Sequence, residues 1–308
     1  MKSRILLGLS IFLFFISCIS AQMKIKNFNS LSDTNQVTFG PDFYRESAID
    51  SKLKWYFMFT KVPHDIGNFT TSALNSSRLP LFAALAAGTG ALMLVDEQGW
   101  LANRRLFNES KTFHDLSDFG VALGNEKYHF IVVGMFGAWG IINHDSRSLK
   151  TASNLVEAII ASGVSVQLLK RVFGRESPVA ASEAAGEWTL FPNLKKYQNN
   201  QPSYYAYPSG HITTLTAAIT VLANNYPEAK WIKPVGYSLI AICGVGLVSR
   251  GMHWYSDLPA GFFLGYTFGN LISPEREVSA PSEASGSSTH FSPLIGPNNL
   301  GVQFSYNF

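Results

Sequence analysis

The residues best suited to chemistry fall in two short stretches, Tyr207-Pro208-Ser209-Gly210-His211 and Ser249-Arg250-Gly251-Met252-His253-Trp254-Tyr255-Ser256-Asp257. Proline, serine and glycine stop whatever precedes the first, and Ile212-Thr213-Thr214-Leu215-Thr216-Ala217-Ala218 reads as an apolar helix opening. Ser209 then stands at the N-cap. A helix start presents unpaired backbone N–H groups and the positive end of the macrodipole, so the Gly210 and His211 amides and the Ser209 hydroxyl can hold an anion such as phosphate. In the second stretch His253 and Asp257 are four apart, one turn of a helix. A carboxylate bonded to one ring nitrogen fixes which tautomer the other presents, and this makes a nucleophilic or basic histidine. His211 is the second histidine beside the anion.

A third stretch lies upstream. In Lys170-Arg171-Val172-Phe173-Gly174-Arg175-Glu176-Ser177-Pro178 an apolar helix ends in cations and a Gly/Pro break. The order of basic segment, Pro-Ser-Gly-His, then Ser-Arg followed by His and Asp, resembles the type 2 phosphatidic acid phosphatase (PAP2) and vanadium haloperoxidase superfamily over residues 79–273. The resemblance implies an all-α, six-helix bundle and a metal-independent phosphatase. Its substrate would be a lipid phosphate, an isoprenyl pyrophosphate or a small phosphomonoester. It further implies His253 as nucleophile, Asp257 as its partner, and His211 as the acid and base for the leaving group and water. Lys170, Ser209, Gly210, Arg250 and Arg175 would bind phosphate. No cofactor is implied, vanadate entering only under the alternative of a haloperoxidase; a decayed, anion-binding envelope protein is the non-enzymatic alternative.

Two positions depart from the family pattern. Lysine, six residues, arginine, proline puts Ser177 where an arginine belongs, which leaves Arg175 or Arg171 to stand in for it. Five residues usually separate Ser-Arg from the histidine, but here only Gly251 and Met252 do, so Arg250 stands about one helical turn out of place. A segment that stays helical would keep Arg250 near the same face.

Apolar segments must position these residues. Runs at Leu79–Val95, Phe130–Ile142, Leu155–Leu169, Ile212–Ala223, Val235–Val248 and Leu258–Ile272 predict six helices. Each is shorter than the ~20 residues of a bilayer span. Leu155–Leu169 also carries Glu157, Ser162, Ser165 and Gln167, which suit a bundle interior better than lipid. Residues 1–21 have a signal-peptide layout, with Lys2 and Arg4 before an apolar run and Ser20-Ala21 after it. Residues 22–78 read as a polar extension, 174–207 as a loop overhanging the site, and 274–308 as a linker and tail whose last nine residues alternate as one strand.

A net charge of +3 with 15% charged residues provides no basic stripe for nucleic acid. Cys243 would be the one cysteine left after signal removal, which excludes an intramolecular disulfide and fits inert packing. His64-Asp65, His114-Asp115 and His144-Asp145 read as loop and cap residues, since no spacing unites them. Six conventional spans behind a cleaved signal would put the site in the cytoplasm. The expectation is therefore an exported bundle, periplasmic or membrane-associated, with its site facing outward and a membrane surface as its neighbour.

Overall fold

The computed structural model describes residues 57–73, 79–274, 288–296 and 299–307. The expected signal segment and residues 22–56 of the expected extension lie outside the described residues. The chain is mostly helical, with ten α-helices among the described residues. They are α1 (Phe57–Ala73), α2 (Leu79–Met93), α3 (Asp96–Glu109), α4 (Lys111–Leu123), α5 (Glu126–Ile142), α6 (Ser146–Val172), the short α7 (Leu194–Asn199), α8 (Gly210–Asn225), α9 (Ile232–Ser249) and α10 (Leu258–Ile272). Each expected apolar helix is present. The architecture is richer than six helices, because α1, α3 and α4 arise where the sequence is mixed.

The reason lies in amphipathicity and capping. Helix α3 opens on Asp96 and Glu97, acidic residues suited to the N-terminal end of the dipole, and buries Gly99, Ala102, Asn103 and Phe107 along one face. Ser110 then caps α4 by accepting from the Phe113 amide. Such helices carry too few apolar residues to form a continuous run. Helices α6, α8 and α10 pack around one another, α9 lies on α4, and α5 lies on α6. The core they enclose includes the fully buried Leu92, Ile212, Ile240, Leu247, Tyr255, Leu258 and Phe262. Burial of each such large apolar side chain is worth roughly 1.5–3 kcal/mol.

Close contact between α8 and α10 sets the site. Gly261, Gly265 and Gly269 recur one turn apart on α10, and a Cβ at these positions would strike the Ser209 carbonyl, the Thr213 carbonyl and the Thr220 side chain respectively. Their lack of side chains lets the two backbones touch, and the contact seats Ser209, at the head of α8, beside the Asp257 carbonyl, which accepts from the Ser209 amide at 3.2 Å. Glu157 is buried on α6 against Asp65 of α1. Burial, together with the hydrogen bond to Asp65, holds its carboxyl well above the usual range.

Between α6 and α8 the chain forms a short hairpin of β1 (Phe173–Arg175) and β2 (Trp188–Leu190), antiparallel with Gly174 opposite Thr189. Residues 276–308 form a separate unit containing an antiparallel pair, β3 (Ser288–Gly296) and β4 (Asn299–Asn307). The strand expected at the end of the chain is thus present, paired with a segment that composition assigns to linker.

Overpacking the glycine stripe should damage stability and site together. Gly265→Ala is expected to lower stability by about 1–3 kcal/mol in a denaturant titration, and to move the head of α8 away from Asp257. A substitution there that leaves the melting temperature unchanged would refute the close-contact account.

Candidate active site

The site lies where the N-terminus of α8, the C-terminus of α6 and the turn before α10 meet. The Tyr207–Pro208 peptide is cis, and Ser209 adopts the extended backbone of an N-cap. Its Oγ is buried and, among the described residues, has no hydrogen-bond partner. The first α8 amide bonded within the helix end is that of Thr213, to the Ser209 carbonyl at 3.1 Å, so the amides of the preceding turn are free of helical partners. Lys170, on the last turn of α6, brings its Nζ to this spot: a Cβ built on Gly210 would lie 3.9 Å from it. The ammonium also sits over the Tyr205 ring at 5.2 Å. Burial, the main cause, lowers the Lys170 pKa to about 8. Serine hydroxyl, helix-end amides and lysine therefore converge as an anion cradle.

His253 is buried beside the cradle. Its Nδ1 is 2.6 Å from the Ala206 carbonyl oxygen and 3.7 Å from Asp257 Oδ2. Two acceptors on one nitrogen assign the proton to Nδ1 and leave Nε2 with its lone pair. Burial holds the His253 pKa below its usual value, against the upward pull of Asp257. The ring is thus neutral at pH 7. The expectation of a carboxylate hydrogen-bonded to this ring needs amending, because the Ala206 carbonyl is the close acceptor and Asp257 stands one step back. Asp257 Oδ2 instead accepts from the Trp254 amide at 2.7 Å.

His211 lies with its ring centroid 6.4 Å from that of His253. Burial, with His253 and Lys170 adding to it, pushes its pKa down to about 3. The turn after α4 fixes its place: a Cβ on Gly124 would fall 2.6 Å from His211 Cβ and 3.0 Å from Cys243 Sγ. His129 Nε2, 2.8 Å from the Leu123 carbonyl oxygen, ties that turn to α5. Cys243 is buried packing, its thiol pushed up to about 12 by burial.

The expected arginines stand elsewhere. Arg250 is 43% exposed, with Nη1 3.4 Å from Asp118 Oδ1 and its guanidinium over Phe107. Helix α9 ends at Ser249 and Gly251 takes a φ of +71°, a left-handed conformation that glycine adopts without strain. The Gly251 amide donates to the Val248 carbonyl and that of Met252 to Leu247, closing the helix. The continuous helix that would have kept Arg250 on the site's face is therefore absent, and His253 and Asp257 belong to the turn preceding α10.

Arg175 is fully buried and commits all five of its N–H donors within the protein. Nη1 donates to Asp257 Oδ1 at 2.5 Å and Ser256 Oγ at 2.7 Å, Nη2 to Asp96 Oδ2 at 2.8 Å and the Ala185 carbonyl at 2.7 Å, and Nε to Ala185 as well. The guanidinium carbon lies 4.8 Å from the Trp188 ring centroid and 5.6 Å from that of Trp254. Ser177 is also fully buried, its amide donating to Pro202 at 2.9 Å. Arg171 donates to Gln167 on its own helix and lies over Tyr197. Asp96, Ser256, Ala206, Tyr205 and Gly124 are the site residues that sequence reasoning missed, and only the acidic start of α3 offered any signal for one of them. Of the three His-Asp pairs, Asp145 caps α6 by accepting from the Arg147 amide, His114 is surface-exposed, and Asp65 faces Glu157 as described.

Part of the chain is similar to known proteins. Residues 151–276 match the model of the PAP2 superfamily, which spans Lys170, the α8 head and the His253–Asp257 turn. That stretch is similar to the PAP2 superfamily. A lipid A 1-phosphatase of Porphyromonas gingivalis is 31% identical over 67 residues, 21% of this chain and 15% of that protein. An undecaprenyl-diphosphatase of Sulfolobus acidocaldarius is 32% identical over 82 residues, 26% of this chain and 38% of that protein. The chain thus spans well under half the length of these relatives. A crystal structure of a transmembrane PAP2-type phosphatidylglycerolphosphate phosphatase from Bacillus subtilis aligns with 71% of this chain and 94% of that one, with 14% identity and a TM-score of 0.38.

Two substitutions test the placement. Gly124→Ala should displace His211 and lower kcat/KM for a phosphate ester about ten-fold or more while the fold persists, as expected when a reacting group shifts by ~1 Å. Ser177→Arg should unfold or inactivate the protein, since a guanidinium at this fully buried position would have no prepared partners; a gain of activity would contradict the buried placement.

Proposed function

We propose that the protein is a phosphatase acting on a phosphate ester through a phosphohistidine intermediate, with a long-chain lipid phosphate as the substrate class. The observation that carries this reading is a neutral, buried His253 with its proton on Nδ1, next to a cradle made of Lys170, Ser209 and the first amides of α8. In the proposed step the Nε2 lone pair attacks phosphorus, a P–N bond forms and the P–O bond to the leaving group breaks. Lys170, Ser209 and the Gly210 amide take the charge on the non-bridging oxygens. His211 gives a proton to the departing alkoxide. Water then attacks the phosphorus, His211 receives its proton, and the P–N bond breaks to restore His253. A phosphoryl dianion in the cradle opposes burial and Lys170 and so raises the low pKa of His211.

Support for a lipid substrate comes from the surroundings. A groove of about 460 Å³ between α5 and α6, lined by Phe130, Ile159, Ile160 and Val164, reaches Gly210. Its volume suits an organic ligand, and most of its lining is apolar. Beyond it α5 exposes Ile131, Met135, Trp139 and Ile142, an apolar surface larger than isolated residues of a soluble protein would form. Helices α6 and α9 are long and apolar enough to cross a membrane, although half of the α6 stretch is buried inside the protein. We propose a membrane-associated protein of the cell envelope, with the site on the outer side.

Purified protein should release phosphate from a long-chain lipid phosphate. His253→Ala, His211→Ala and Asp257→Ala should each reduce that rate by a factor of ~10³ or more, as for groups that act in the reacting unit. Turnover preserved in His253→Ala would exclude this mechanism. The pH dependence carries a further signature: the cradle needs Lys170 protonated, and its charge is lost as pH rises through about 8. Since kcat/KM reports the free enzyme, it should fall above that pH, and Lys170→Arg should remove this alkaline limb.

A further inference from the structure

Arg175 and Asp96 occupy an arrangement that the phosphatase chemistry, as derived so far, does not use. The guanidinium lies between two carboxylates, Asp96 of α3 and Asp257 of the turn before α10, all three side chains being fully buried. Ser256 bridges them: its amide donates to Asp96 Oδ1 at 3.0 Å, its hydroxyl donates to Asp96 Oδ2, and that hydroxyl accepts from Arg175 Nη1. Asp257 is left with Oδ1 on the guanidinium and Oδ2 on the Trp254 amide, 3.7 Å from His253 Nδ1. Both of its oxygens are directed by fixed donors, so its carboxylate plane cannot rotate to take the His253 proton from the Ala206 carbonyl. With every N–H committed, Arg175 has no donor for a substrate oxygen.

We propose that Arg175 and Asp96 are positioning residues for the phosphatase reaction, acting through Asp257 to hold the tautomer and orientation of His253, and that Arg175 is not a phosphate ligand. The inference rests on the phosphatase reading of the site. Asp96 has a defined part in it: it holds the second edge of the guanidinium, which keeps the first edge on Asp257. A lysine in place of Arg175 could meet one carboxylate but not both in a fixed fork geometry.

The test is a split of kcat against KM in purified full-length protein, with a long-chain lipid phosphate as substrate. Asp96→Asn and the milder Ser256→Ala should lower kcat by about 10–100-fold and leave KM within about two-fold, because the affected interaction orients the nucleophile and leaves the cradle intact. Arg175→Lys should recover part of the kcat lost in Arg175→Ala. Ser256→Ala removes one hydroxyl only, so it decides the matter if Asp96→Asn does not fold. The proposal is overturned if these variants raise KM with kcat preserved, which would make Arg175 a phosphate-binding group, or if folded Ser256→Ala matches the unsubstituted protein in both constants. Failure of the unsubstituted protein to release phosphate would instead overturn the phosphatase reading itself, and the two failures are thereby distinguished.

Discussion

The arrangement on which the site depends is one buried cation shared by two buried carboxylates. Arg175 comes from β1, Asp96 from the first residue of α3, and Asp257 from the turn that launches α10. Removing one partner from such a group leaves an uncompensated charge and costs about 3–5 kcal/mol, a large part of a domain's net stability. Burial, the largest influence on Asp96, raises its pKa to about 6 against the pull of Arg175. Three segments far apart in sequence are fixed to one another by this contact. The loop between α6 and α8 is thereby drawn over the turn that carries His253, with Trp254 donating to the Glu176 carbonyl at 2.7 Å.

From that constraint the chemistry of the site follows. Because the arginines are used structurally or lie at the surface, Lys170 is the cation that meets the head of α8, and its charge is poised by burial near neutral pH. The two histidines beside it, His253 buried and His211 half-buried, are neutral. Lys170 therefore carries the cradle's positive charge at neutral pH, and an anion beside it changes the protonation preferences of the whole group. In the proposed reaction a phosphoryl dianion favours the charged forms of Lys170 and His211, the forms assigned there to stabilising the transferring group and protonating the leaving oxygen.

Much of this was legible in the sequence, and the rest was hidden for identifiable reasons. Apolar runs located the helices that build the core, Ser209 before an apolar run marked the N-cap, and the order of Lys170, His211, His253 and Asp257 pointed to one site. Helices α3 and α4 were missed because their apolar residues occupy one narrow face. Arg250 was expected near the cradle on the premise of a continuous helix, and Gly251 in the left-handed region breaks that premise. Arg175 was counted as a phosphate ligand because its partner Asp96 lies 79 residues away, where local spacing says nothing. The Ala206 carbonyl that receives the His253 proton belongs to the backbone and leaves no trace in residue type.

The central claim is that the neutral Nε2 of His253 forms a bond to phosphorus. Slowing the second half of the reaction alone makes that bond observable: His211→Ala protein, mixed with a radioactive aryl phosphate whose phenolate departs without a proton and quenched in alkali, should retain one label per chain. Peptide mapping should locate the label on His253. Label on any other residue, or product release from His211→Ala without any labelled protein at the earliest resolvable time, would contradict the account.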